Sequence, residues 1–106
     1  MPEYLLIESR DPFESRDVGY YCELARGLLE AGNQVTVFLI QNAVLAARSS
    51  AEAPELQALV STGVNVKADD FSLLERGITK LRDGVQIAPI DIVVDHLESG
   101  HRVLWH

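Results

Sequence analysis

Cysteine is nearly absent from this sequence: Cys22 is the only one in 106 residues. A single thiol excludes an internal disulfide and any zinc site built on cysteines. A reduced, cytoplasmic setting is the simplest expectation. Basic residues are also scarce. Nine Lys and Arg stand against 16 Asp and Glu, giving a formal net charge of −7, and the nine are scattered singly. Nucleic-acid binding gains its affinity from clustered positive charge, so no direct nucleic-acid partner is expected. Long hydrophobic runs are missing too. No stretch approaches the roughly 18 apolar residues of a membrane span, so no membrane partner is expected. The opening Met1-Pro2-Glu3-Tyr4 has no basic region ahead of an apolar run, unlike a secretory leader. Neither GxGxxG nor Walker A occurs, and there is no GxSxG nucleophile elbow. No cofactor is expected.

What is present is an ordinary globular composition, 47% hydrophobic and 24% charged, and a length that suits one domain over residues 1–106. Tyr4-Leu5-Leu6-Ile7 reads as a buried strand. Asp11 to Arg16 is a polar loop with a proline turn signal. From Asp17 the period changes: Val18, Tyr21, Cys22, Ala25, Leu28 and Leu29 share one helical face, and Gly32 ends the helix. Gln34 to Ile40 is the strongest strand, β-branched, aromatic and apolar at nearly every position, as a strand covered on both faces should be. Asn42 to Arg48 reads as a short helix. Pro54 opens another, with Leu56, Leu59 and Val60 on its apolar side. Val64 to Ala68 alternates as a strand, Phe71 to Arg76 forms a helical turn or two, and Val85 to Ile87 is a short strand. Asp91 to Ser99 is a helix with Val93, Val94 and Leu97 turned inward, and Arg102 to Trp105 is a last strand. The order β-α-β-α-α-β-α-β-α-β implies a mostly parallel sheet with helices on both faces.

Ligands of open α/β sheets bind beyond the carboxyl ends of the strands. Those ends are Glu8 to Asp11, Gln41-Asn42 and Asp69-Asp70, which should share one rim. Asp69 and Asp70 suit a helix N-cap, where a carboxylate accepts from free backbone N–H groups and meets the positive helix end. Two carboxylates could also hold a divalent metal or act as acid and base. A receiver domain uses an acidic cluster in that way. However, it needs acidic residues directly after the first strand and a lysine after a late one, and this chain has neither in place. Cys22 lies well inside its helix on the apolar face, where an inert core thiol is the expectation. His96, His101 and His106 recur at intervals of five. That spacing does not put three imidazoles on one face of any single element, so no metal site is expected.

The segments taken in order carry a resemblance. They are Asp11-Pro12, the helix end Leu28-Leu29-Glu30-Ala31-Gly32, Gln34-Val35-Thr36-Val37-Phe38-Leu39, Gly63-Val64-Asn65-Val66, Arg76-Gly77-Ile78, then Leu81 and Gly84-Val85, and a closing strand near Trp105. Together they resemble the DsrE/DsrF-like family, the sulfur-relay proteins of sulfur oxidation and tRNA thiolation. The resemblance implies a flavodoxin-like, three-layer α/β/α fold that assembles into dimers, trimers or hexamers. It implies that active members accept sulfane sulfur as a persulfide on a cysteine after the third strand, seven residues before the arginine of Arg-Gly-Ile. In this sequence that position is Asp69, and Ser72 stands where some members have a second cysteine. A carboxylate cannot hold sulfur as a persulfide.

Three functions follow as expectations. The first is a non-catalytic structural or regulatory member, in a homo-oligomer or beside a cysteine-bearing paralogue. The second is a sulfurtransferase acting through Cys22. The third is a small-molecule or metal-binding module that uses Asp69, Asp70, Asn42 and Arg76.

Overall fold

The computed structural model describes residues 3–11 and 17–106, with side-chain surroundings from Gly19 onward in the second stretch. The expected turn at Pro12 and the side chain of Val18 lie outside the described residues. The elements follow the expected order: β1 (Glu3–Glu8), α1 (Asp17–Glu30), β2 (Gln34–Leu39), a 3₁₀ helix (Gln41–Ala47), α2 (Pro54–Ser61), β3 (Asn65–Asp69), α3 (Asp70–Glu75), β4 (Val85–Ala88), α4 (Asp91–Glu98) and β5 (Arg102–Trp105). The segment after β2 is wound as 3₁₀, which makes side chains three apart eclipse each other. Two of the pairs three apart, Ala43 with Ala46 and Val44 with Ala47, are made of small, buried residues.

The five strands form one sheet in the order β4-β3-β2-β1-β5, and every pairing is parallel. β2 sits in the middle with five of its six residues buried, which explains why it is apolar at nearly every position. Alternation along the strands sorts the core into two clusters. Leu6, Val37, Val66 and Val85 face Tyr21 and Ala25 of α1, Leu56 and Leu59 of α2, and Leu73 of α3. Leu5, Ile7 and Phe38 face the other way, against Ile92 and Val93 of α4. The fold is therefore a three-layer α/β/α sandwich of flavodoxin-like type. Fully burying side chains such as Leu5, Leu6 and Phe38 contributes about 1.5–3 kcal/mol each.

One expectation is corrected here. Val94 and Leu97 do not turn inward: they are 52% and 58% exposed, and no residue of α4 is buried. The helix leans on the sheet through Ile92 and Val93 instead. Its second apolar stripe, Ile90, Val94 and Leu97, follows the same helical period but faces out. Periodicity reveals that a helix has an apolar face; with two apolar stripes it does not say which one meets the sheet.

The chain steps in one direction from β1 to β4 and then places β5 on the far side of β1. The carboxyl ends of β1 and β5 thus mark the switch point where open α/β sheets form a crevice.

Candidate functional site

Among the described residues, the carboxyl rim of the sheet carries two polar groups. The first is built at the β3–α3 turn. Asp69 keeps extended backbone (φ −65°, ψ 124°) and caps α3. Its Oδ2 accepts from the backbone N–H of Ser72 at 3.1 Å and from the Ser72 hydroxyl at 2.7 Å. Ser72 Oγ in turn accepts from the backbone N–H of Gln41 at 2.9 Å. Gln41 has φ +51°, a left-handed conformation that few side chains adopt. That bend turns the chain out of β2 and aims its N–H at Ser72. Asp69 and Ser72 are only 6% and 3% exposed, so these bonds are made away from water. Asp69 Oδ1 is buried and has no hydrogen-bond partner among the described residues.

Arg76, one turn further along, donates to Ser72 O at 3.2 Å and to Asn42 Oδ1 at 3.0 Å. Asp69, Asn42 and Arg76 are therefore linked through Ser72 and the chain at Gln41. Asp70 is exposed and lies in the first turn of α3, where its charge favours the helix end. The two aspartates have separate surroundings and do not form a carboxylate pair around one centre.

The second group sits at the switch point. Glu8, at the end of β1, is 2% exposed. Its Oε1 accepts from Arg10 N–H at 2.9 Å, and its Oε2 lies 2.7 Å from His106 Nδ1. A carboxylate only accepts, so that Nδ1 carries the proton. The Tyr21 ring stacks on the His106 imidazole, with centroids 5.0 Å apart. The Tyr21 hydroxyl reaches Ile7 O at 3.2 Å and Leu104 O at 3.1 Å, tying α1 across β1 and β5. Burial, then the Glu8 charge, pushes the Tyr21 hydroxyl well above its ordinary range.

Cys22 belongs to neither network. It is half-buried on α1 and borders a cavity of about 20 Å³ with Glu8, Leu39 and Leu56. That is room for about one water molecule. Burial pushes its thiol up to about 11, with the Glu55 and Glu8 charges adding to the rise. A thiol so raised is protonated at neutral pH and is a poor nucleophile.

Sequence reasoning named Asp69, Asp70, Asn42 and Arg76 but missed two groupings. The Glu8–His106 contact joins residues 98 apart, and only the strand order brings them together. The other grouping lies at the opposite end of the sheet, where His96, His101 and Glu3 converge. The interval of five does not keep all the imidazoles apart: His96 and His101 meet, while His106 goes to the far rim. Gly100 immediately before His101 was the signal that could have found that pair.

The sequence model of the DsrE/DsrF-like family matches residues 4–106. No curated protein sequence matches. Among solved structures, the ychN protein from E. coli superposes with a TM-score of 0.88 at 24% identity, covering 100% of both chains. MTH1491 from Methanobacterium thermoautotrophicum, a protein of unknown function, gives 0.87 at 17% identity, again over 100% of both. BT1422 from Bacteroides thetaiotaomicron, also of unknown function, gives 0.76 at 14% identity, over 98% of this chain and 94% of the other.

Proposed function

Because this chain belongs to the DsrE/DsrF-like family, we propose that it is a non-catalytic relative of the sulfur-relay proteins, acting as a structural or regulatory subunit. The observation that carries this reading is the state of Asp69. It stands seven residues before Arg76-Gly77-Ile78, the position that the family resemblance gives to a sulfur-accepting cysteine. Its carboxylate is taken up by Ser72 in capping α3. An oxygen there cannot form a persulfide. Cys22 is a poor substitute, since its thiol is pushed up to about 11 and a thiol protonated at neutral pH is a weak nucleophile.

A subunit role calls for a partner, either further copies of the chain or a cysteine-bearing paralogue in the cytoplasm. The outward stripe Ile90, Val94 and Leu97, with Trp105 at 66% exposure, supports such an assembly, because apolar surface in patches is typical of interfaces. Among the described residues no helix is long and apolar enough to cross a membrane.

The test is incubation with a sulfane-sulfur donor followed by intact mass. No sulfur should be gained. A gain that disappears in Cys22→Ala would establish the sulfurtransferase alternative and overturn the reading. A second reading, a small-ligand or metal site around Asp69, is favoured by its buried, unpartnered Oδ1. Thermal-shift measurements across divalent metals and small cationic metabolites would support it only if a shift vanished in Asp69→Asn.

A further inference from the structure

The last turn of α4 closes in a Schellman motif. Gly100, at φ +76°, lets its own N–H reach Leu97 O at 3.1 Å and lets His101 N–H reach His96 O at 3.0 Å. These are the two bonds that define the motif, and its geometry brings the side chains of the third-from-last helical residue and the second residue past the cap into contact. In most proteins that contact is apolar. In this chain both positions are histidine.

The imidazoles meet through their Nδ1 atoms at 2.9 Å, with the ring planes at 66°. On the other side of His101, Nε2 lies 2.6 Å from Glu3 Oε2 at the start of β1. Glu3 thereby holds the His101 proton on Nε2 and turns its Nδ1 toward His96. This is the arrangement in which a carboxylate orients a metal-binding histidine from behind. Two Nδ1 atoms 2.9 Å apart, each about 2.0–2.1 Å from a shared ion, would subtend roughly 90°. That angle suits the tetragonal geometry of copper or nickel better than tetrahedral zinc.

We propose that His96 and His101, backed by Glu3, bind a late first-row divalent cation, with Cu²⁺ and Ni²⁺ favoured by the geometry. The charges around the pair are mixed: Glu3 and Asp95 favour a cation and Lys67 opposes it. Without metal one proton lies between the two Nδ1 atoms; with metal bound it would move to His96 Nε2, so that both imidazoles bind as neutral ligands. The bound ion ties the end of α4 to the starts of β1 and β5. The group stands at the amino ends of the strands, away from Asp69, so it does not depend on the sulfur-relay reading.

The experiment titrates Cu²⁺ into the full chain by calorimetry and records the electron paramagnetic resonance of the one-to-one complex. The expected result is one ion per chain, two nitrogen donors in the spectrum, and a raised melting temperature. His96→Gln and His101→Gln should each abolish that site, and Glu3→Ala should weaken it by about 10- to 100-fold. In the unmutated chain, paramagnetic line broadening by Cu²⁺ should centre on His96 and His101, which keeps the test independent of the variants' folding. The proposal is overturned by no stoichiometric binding, by binding that survives either histidine substitution, by unchanged affinity in Glu3→Ala, or by broadening centred elsewhere.

Discussion

Replacing Asp69 by Ala removes a cap and strands its partners. The Ser72 N–H and hydroxyl both point at Asp69 Oδ2, at 3.1 and 2.7 Å, and Ser72 is 3% exposed, so neither can turn to water. Loss of an N-cap alone costs about 0.5–2 kcal/mol. A buried donor left without an acceptor costs about 1–3 kcal/mol. The two costs overlap at the Ser72 N–H, so together they come to about 2–4 kcal/mol. That is a large share of the roughly 5–15 kcal/mol that holds a domain together. It corresponds to a fall in Tm of roughly 10–20 °C at this size. Urea unfolding followed by circular dichroism, on the wild type, Asp69→Ala, Asp69→Asn, Ser72→Ala and the Asp69→Ala/Ser72→Ala double variant, measures it. Asp69→Asn keeps an acceptor oxygen and should recover most of the loss. The double variant should cost less than the two single changes summed, because each removes the other's partner. If Asp69→Ala costs no more than an average surface substitution, or if the cycle shows no coupling, the capping network is not what holds this turn.

Three further outcomes are expected. Cys22 should react slowly with iodoacetamide at neutral pH and faster as the pH rises toward about 11. Its raised pKa also means that the folded chain binds the thiol proton more tightly than the unfolded chain. The associated stability is present below the ordinary thiol range and is lost as pH rises through that value, and alkaline melts of wild type and Cys22→Ala test this. Gly84→Ala should destabilise more than Gly100→Ala by at least about 1 kcal/mol, which chemical unfolding would measure. Both glycines have positive φ and share a strain of about 1–2 kcal/mol. Only at Gly84 would the new Cβ lie 2.2 Å from Val60 Cγ1, while nothing stands within 4 Å at Gly100. Finally, Leu97→Glu should lower the solution mass measured by light scattering if the outward stripe of α4 is an interface, and an unchanged oligomer would exclude that surface.

The local elements were legible because each depends on a short stretch of chain. The period-3.6 face from Tyr21 to Leu29, the β-branched and aromatic run from Val35 to Ile40 and the glycines that end helices are statements about neighbours in sequence, and they gave the alternating α/β order and the sandwich. The cap at Asp69 was legible for the same reason, since its partner Ser72 is three residues away. So was a thiol placed on an apolar helix face. What depends on strand order could not be read. Glu8 meets His106 because β5 lies beside β1, a neighbour relation that no local pattern encodes. The outward turn of Val94 and Leu97 depends on which of two equivalent apolar stripes the sheet accepts, and that is settled by packing. The meeting of His96 and His101 falls between the two. Its cause is local, a helix end at Gly100, yet the third member, Glu3, arrives only when β1 and β5 pair.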